Sequence, residues 1–208
     1  MTTSDEAGEP LWVRYPLLGT IWKTRVSRFN AADRLERRHW WKNFALAILS
    51  VYVLALSVLP KFVTSPVVTT PIDFVGFAPI VASVLVLVFS IIVGFDSDAV
   101  RSKYLYDNAK RLSDIYHRYK LALIDPPEAV LQITEVARRR YEKAMARCPF
   151  NHDPIDHRRT LLEAEKGDML AHMRLSIAEF ADVYLWPLIA IAVPPLIAAP
   201  TIHQWLTR

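Results

Sequence analysis

Five side chains that could bind a metal ion or transfer protons lie within one short stretch of the chain. They are Cys148, His152, Asp153, Asp156 and His157. Thiolate, imidazole and carboxylate groups are the ligands that zinc prefers in proteins. The order C-x3-H-x4-H matches no established zinc template, however, and Pro149 and Pro154 are typical of a turn. A structural turn is therefore the favoured interpretation, and a metal site is the alternative.

The densest positive charge in the chain is the run Arg138, Arg139 and Arg140. Consecutive residues point in different directions around a helix. The favoured interpretation is therefore a solvated surface that lies near anionic lipid. The alternative is a binding site for a nucleotide signal or an acidic partner, because guanidinium groups bind phosphates and carboxylates well.

The sequence contains no motif for catalysis or for cofactor binding. A Gly-rich phosphate loop, a nucleophile elbow and an H-E-x-x-H helix are all missing. We therefore predict that the chain is not an enzyme and uses no cofactor. Its net charge of +4 is modest, whereas nucleic-acid binding needs a denser basic face, so no nucleic acid is expected as a partner. The single cysteine excludes an internal disulfide bond.

Small and weakly polar residues recur at every seventh position in two apolar stretches. The first stretch carries Asn43, Ser50 and Ser57, and the second carries Gly76, Ser83, Ser90 and Ser97. Residues seven apart share one face of a helix, with a drift of about 20°. Small residues let membrane helices pack closely, so packing between the two helices is the favoured interpretation. The alternative is that the stripes line a polar path once several copies assemble.

These stripes lie in two long uncharged segments. Residues 44–59 carry no charge, and with residues 40–43 they reach about 20 residues, the length that spans roughly 30 Å of hydrocarbon. Residues 75–95 form a second uncharged run. In lipid the backbone must satisfy its own hydrogen bonds, so both segments are predicted to be helices. We expect a transmembrane hairpin, 40–59 and 75–95, rather than two buried helices of a soluble protein.

Basic residues flank the hairpin on one side. They are frequent before the first segment and after the second, whereas the connecting loop contains only Lys61. Lys and Arg near membrane spans stay on the cytoplasmic side. We therefore expect a multi-pass protein of the inner cell membrane with a cytoplasmic N-terminus.

The rest of the chain is also predicted to be helical, so the fold class is all-α. A helical pattern runs from about residue 24 into the first span. Pro16 and Gly19 argue against a regular helix before it, so residues 1–23 are expected to be flexible or interfacial. Further helices, packed as a cytoplasmic bundle, are expected at about 97–124, 127–147 and 156–182. Gly94 could kink the junction after the second span.

Residues 183–206 are uncharged and long enough to cross the membrane a third time. They also contain Pro187, Pro194, Pro195 and Pro200. Proline is tolerated in membrane helices where neighbouring groups satisfy the freed carbonyls. A third span is the favoured interpretation, and a re-entrant or surface-lying helix is the alternative.

Short motifs in three of these elements resemble those of a known family. The helix entering the first span carries Ala-Ala-x-Arg-Leu, residues 31–35, and residues 109–112 read Ala-Lys-Arg-Leu. Pro149, Asn151 and His152 form a Pro-x-Asn-His loop, followed by Asp156. Over about residues 24–180 the chain resembles the SLATT family of bacterial membrane effectors, which have two transmembrane helices and a helical cytoplasmic extension. The third apolar segment departs from that pattern.

The resemblance implies a function and a set of partners. SLATT proteins occur beside nucleotide-second-messenger synthases, SLOG-type sensors or reverse transcriptases in conflict systems, and are proposed to form pores. In the family pattern Asn151, His152 and Asp156 brace a loop. We therefore expect a defence effector in the lipid bilayer that assembles as a homo-oligomer and opens a pore on a cytoplasmic signal. The alternative is a non-conducting anchor or sensor that recruits a cytoplasmic partner.

Overall fold

A computed structural model describes residues 11–62, 74–124, 130–165 and 169–206 of the chain. Every regular element in these ranges is helical, which confirms the predicted all-α class. The helices are α1 (Leu11–Arg14), α2 (Pro16–Phe62), α3 (Phe74–Gly94), α4 (Asp98–Ile124), α5 (Val130–Ala146), α6 (Pro154–Glu165), α7 (Met169–Phe180) and α8 (Trp186–Leu206). A π-helical turn, Ala181–Leu185, connects α7 to α8.

Three helical stretches among the described residues are long and apolar enough to cross a membrane. They are Pro16–Val58, Pro79–Leu123 and Met169–Leu196. The first two overlap most of the predicted hairpin segments, and the third overlaps most of the predicted C-terminal hydrophobic helix. This is an integral membrane protein by the length and composition of its helices.

Helix α2 runs unbroken for 47 residues from a polar stretch into the first apolar segment, as predicted. It begins at Pro16 rather than near residue 24, so the structure differs from the flexible segment expected there. Proline suits the first helical position, where its missing N–H is not needed. A Cβ on Gly19 would lie 3.3 Å from the carbonyl oxygen of Trp12, so glycine permits close contact with α1. Leu18 and Ile21 are fully buried. Residues 1–10 lie outside the described ranges.

The chain divides into two compact units. The polar unit comprises the described residues of Met1–Glu36 and Ala99–Glu179. The membrane unit comprises those of Arg37–Asp98 and Phe180–Arg208. Each unit is discontinuous in sequence, because the apolar hairpin is inserted between two parts of the polar unit.

The core of the polar unit forms where α2, α4 and α5 pack together. Leu105, Ala109 and Leu112 of α4 are fully buried, and Tyr119 and Leu123 continue the same face. Leu105, Ala109 and Leu112 recur at i, i+4 and i+7, which places them on one face of α4. On α5 the two small side chains Ala137 and Ala144 are buried and allow α5 to approach closely.

The region predicted as one helix, 156–182, contains the described helices α6, which begins earlier at Pro154, and α7. Residues 166–168 lie outside the described ranges, so a single helix across them stays a prediction. One apolar face of α7 is exposed: Met169, Met173 and Ile177 are 84, 52 and 61% accessible. Among the described residues of the chain, no element covers these three side chains.

Helices α3 and α4 are separated by residues 95–97, directly after Gly94, where the sequence suggested a kink. Asp96 Oδ1 accepts a hydrogen bond from the backbone N–H of Asp98 at 3.2 Å. A side-chain acceptor at this position satisfies one of the free N–H groups that begin a helix. The Asp96 side chain therefore caps the first turn of α4, which begins as a separate helix after α3. Ser97, predicted on the second helical stripe, lies in this break.

Candidate functional site

A buried ion pair fastens the loop before α6 to helix α2. Arg34 Nε donates to Asp156 Oδ1 at 2.9 Å, and its Nη2 donates to Asp156 Oδ2 at 3.1 Å. Nη2 also donates to the carboxylate of Asp153. The side chains of Arg34 and Asp156 are only 3 and 1% exposed. The two-point geometry is the strongest form of Arg–carboxylate contact.

Hydroxyl groups extend this anchor along α2. Ser27 Oγ and Thr160 Oγ1 lie 2.9 Å apart, and Thr160 Oγ1 donates to the backbone carbonyl of Asp156 at 3.0 Å. Asn30 Nδ2 donates to the same Thr160 oxygen at 3.3 Å. Ser27 also lies 3.4 Å from His157 Nδ1. A connected buried network of this kind specifies one packing arrangement.

The other two residues predicted to brace the loop make local contacts. Asn151 Oδ1 accepts a hydrogen bond from the backbone N–H of His152 at 3.0 Å. The Nδ1 atom of His152 is buried and has no hydrogen-bond partner within the described part of the chain. Burial first, and then the neighbouring Arg28 and His157, lower the pKa of His152 below its ordinary value. The lowered pKa favours the neutral form of the imidazole.

The potential metal ligands of this loop are used in other ways. Asp153 and Asp156 bind Arg34, and Cys148 Sγ donates to the carbonyl oxygen of Phe150 at 3.2 Å. Within the described ranges, no group of three or more His, Cys, Asp or Glu side chains is arranged to hold a metal ion. The geometry favours the structural turn.

Two of the three clustered arginines of α5 are paired on the helix surface. Arg138 binds Glu135 at 2.9 Å and Glu142 at 2.8 Å, and Arg139 binds Glu135 at 2.8 Å. Hydrogen bonds from Arg138 and Arg139 lower the pKa of Glu135 to about 2. Arg140 instead lies on the wall of a shallow cavity beside Arg118. The three arginines therefore do not converge on one anion.

The two stripes of small residues face outward in the single chain. Asn43, Ser50, Ser57, Ser83, Ser90 and Ser97 are all exposed, and Gly76 lies in the first turn of α3. The hydroxyls of Ser50, Ser57 and Ser83 donate to carbonyl oxygens three or four residues earlier, at 2.7–2.9 Å. The stripes therefore do not form the contact within the hairpin.

Larger apolar side chains line the space between the membrane helices. A cavity of about 280 Å³ is bordered by α2, α3 and α8, with Leu49, Phe89 and Trp186 among its lining residues. The rings of Phe89 and Trp186 are 5.4 Å apart. On α2, Ala45 is buried, whereas Asn43, two residues earlier, is exposed. The buried face of α2 therefore differs from the face that carries the stripe.

Sequence reasoning missed a cluster of five charges, here called the ion cluster, at the ends of the membrane helices. Its members are Arg38, Lys42, Asp96, Asp98 and Asp182. Lys42 Nζ lies 2.8 Å from Asp98 and also binds Asp96. Arg38 lies 3.2 Å from Asp98 and 3.3 Å from Asp182. The Asp98 side chain is only 3% exposed.

A signal for this cluster was present in the sequence. Lys42 precedes the first uncharged segment, and Asp96 and Asp98 follow the second. The antiparallel helices of a hairpin bring those two ends together, so opposite charges there should pair. Asp182 had no such signal, because its position depends on how α8 returns to the hairpin.

The sequence of the chain matches the model of one protein family over most of its length. The model of one family, SMODS and SLOG-associating 2TM effector domain family 5, matches residues 16–200. No curated protein and no solved structure matches the chain. The matched range covers both units and ends inside α8. It also contains the Arg34 anchor and both hairpin helices. The chain therefore belongs to SLATT family 5, the SMODS and SLOG-associating membrane effector domains with a two-helix transmembrane core.

Proposed function

We propose that this membrane effector assembles into a homo-oligomer in the inner membrane and opens a conducting path on a cytoplasmic signal. The membrane effector role rests on the family. In this proposal the N-terminus lies in the cytoplasm, because basic residues cluster on that side of the hairpin. The signal comes from a protein encoded alongside, of the SMODS or SLOG kind named by the family.

The observation that carries the proposal is the outward position of the serine stripes. Ser50 and Ser57 are exposed on α2, and Ser83 and Ser90 are exposed on α3. Burying a hydroxyl group without a hydrogen-bond partner is costly. Hydroxyls that bond their own helix can lie against lipid, against another copy or along water. Within the hydrocarbon of a bilayer no water is available to polar groups, whereas a path between several copies can hold water. In this proposal the outward stripe lines such a path.

The test replaces two residues of one stripe, Ser50→Leu together with Ser57→Leu. Leucine remains compatible with the membrane, so insertion should be unchanged. An apolar constriction obstructs water and ions, so dye leakage from liposomes should fall by about tenfold or more while cross-linked oligomers persist. Loss of the oligomers together with leakage would assign the stripe to packing between copies.

The matched control is Val51→Leu with Val58→Leu. These residues are also seven apart on α2 and are 57 and 47% exposed, but they lie on a neighbouring face. Leakage should be unchanged in this control. Wild-type protein that never leaks, even with its signal and partner supplied, would rule out the pore and favour the non-conducting anchor.

A further inference from the structure

A polar cavity in the polar unit has no role in the function described so far. It lies between the middle of α4 and the end of α5 and has a volume of about 320 Å³. Its lining residues are Tyr104, Asp107, Asn108, Arg111, Arg147 and Cys148. Pockets for small ligands begin at about 300 Å³, so the space suits a compact molecule.

Two guanidinium groups reach this cavity from different helices. Arg111 belongs to α4, and Arg147 directly follows α5. Within the described ranges neither side chain makes an ion pair, whereas Arg138 and Arg139 on α5 are both paired with Glu135. Ala109 and Leu112, the neighbours of Arg111 in its motif, are fully buried in the core. Packing explains those two residues, whereas Arg111 is exposed and lines the cavity.

A third arginine lies behind the cavity wall. Arg28 is 2% exposed, and its Nη1 donates to Asn108 Oδ1. Its Nε is buried and has no hydrogen-bond partner among the residues that the structure describes. Asn108 Nδ2 in turn donates to the carbonyl oxygen of Ala144 at 2.6 Å, which fixes the orientation of the amide. A buried charge held only by a neutral amide is poorly compensated. An anion in the cavity would offset part of this charge.

The charges therefore favour an anionic ligand. The cavity wall and the layer behind it contain three guanidinium groups, those of Arg28, Arg111 and Arg147. The lining contains one carboxylate, that of Asp107. Arginine binds phosphate through paired hydrogen bonds. We propose that this cavity binds the phosphate group of a small phosphate ester or of an anionic lipid headgroup. The proposal does not depend on pore formation.

Cys148 provides a direct measurement, because it lines the cavity and is the only cysteine of the chain. The full-length protein is placed in nanodiscs of phosphatidylcholine, and inorganic pyrophosphate serves as the probe. Pyrophosphate should slow the alkylation of Cys148 by a maleimide and should give a saturable signal in calorimetry. No protection of Cys148 and no binding, in neutral and in anionic discs, would overturn the proposal.

Variants separate a specific site from general positive charge. Arg111→Gln and Arg147→Gln should each weaken pyrophosphate binding by about tenfold or more, since each removes a charge-assisted contact. Asp107→Asn should strengthen binding, an effect that misfolding cannot produce. The control Arg140→Gln removes an exposed charge from α5 outside this cavity and should change nothing. Equal weakening by Arg140→Gln, or no change with Asp107→Asn, would overturn the proposal.

Discs that contain phosphatidylglycerol distinguish the two sources of phosphate. If Cys148 is protected in these discs without pyrophosphate, and Arg111→Gln restores its alkylation, the natural ligand is a lipid headgroup. If protection needs pyrophosphate in both kinds of disc, the ligand is a soluble phosphate ester. Either result supports a phosphate site.

Discussion

Arg34 makes the strongest contacts of the predicted motif residues. It joins α2 to a loop that lies 122 positions away in the sequence. A buried ion pair adds little net stability compared with an apolar pair, because both charges lose their hydration. Removing one partner is costly, however, since the other charge remains buried. The pair therefore determines which packing of the loop is allowed.

Arg34→Ala should lower the free energy of unfolding by about 3–5 kcal/mol, because Asp156 would remain buried without a cation. Chemical denaturation of the purified protein in detergent measures this change. The comparison variant Arg139→Ala removes an arginine that is 74% exposed and should leave the unfolding transition where it is. Similar losses in both variants would contradict the role given to burial.

His152 makes the stability of the loop sensitive to acid. Its pKa in the folded protein is lowered by burial first and then by nearby positive charge. The unfolded chain therefore binds a proton more readily, with a pKa near 6.5. Linkage requires that stability falls as the pH drops below about 6.5 and stops falling below the lower pKa of the folded state.

The expected result is a lower melting temperature at pH 5.5 than at pH 7.5. His152→Gln removes the titrating group, so its melting temperature should change less over the same interval. His117→Gln, at an exposed position on α4, serves as the control and should behave as wild type. An identical pH response in all three proteins would show that His152 does not carry the effect.

At the level of helices, the ion cluster links separate elements of the membrane unit. Lys42 and Arg38 come from α2, Asp96 and Asp98 from the α3–α4 junction, and Asp182 from the π-helical turn before α8. The nearly buried Asp98 contacts both cations. Charge pairs at fixed positions favour one register of neighbouring elements over others. We therefore expect the ion cluster to stabilise the observed register of these helices.

Lys42→Met should destabilise the membrane unit by roughly 2–3 kcal/mol, because Asp96 and Asp98 would lose a shared cation while Arg38 remains. Thermal unfolding in detergent gives the value. Adding Asp96→Asn should recover part of the loss, since the two residues interact directly. Lys103→Met, an exposed change on α4, is the control. Additive losses in the double variant would argue against direct coupling.

At the level of the whole molecule, one chain builds a polar unit and a membrane unit from interleaved segments. Helix α2 belongs to both units and has no break between them. The family to which the chain belongs is one of membrane effectors, and the described apolar hairpin segments lie in the membrane unit.

Reporter fusions test the proposed orientation. A reporter active only outside the cytoplasm should be active after Thr69 and inactive after Ile124, because basic residues keep both ends of the hairpin inside. A fusion after Arg208 should be active if α8 completes a third crossing. The opposite pattern at the first two sites would reverse the orientation.

Local patterns in the sequence were enough to predict the helices and the membrane class. The uncharged lengths of residues 44–59 and 75–95 satisfy the membrane rule without any partner, and the period of α4 marks its buried face. The same reasoning failed at Pro16, because proline is allowed in a first turn that tertiary packing completes. Glycine at position 19 is likewise explained by its neighbour Trp12, which the period of α2 does not show.

Tertiary structure alone decided which residues meet. Periodicity places Ser50 on a stripe but cannot say whether that stripe faces α3, a second copy or lipid. The structure turns it outward and places Leu49 and Phe89 on the inner wall. Pairs such as Arg34 and Asp156 bring together residues 122 positions apart. Periodicity in the sequence predicts which residues share a face of one helix. Contacts between helices depend on how the helices pack together, which the periodicity does not contain.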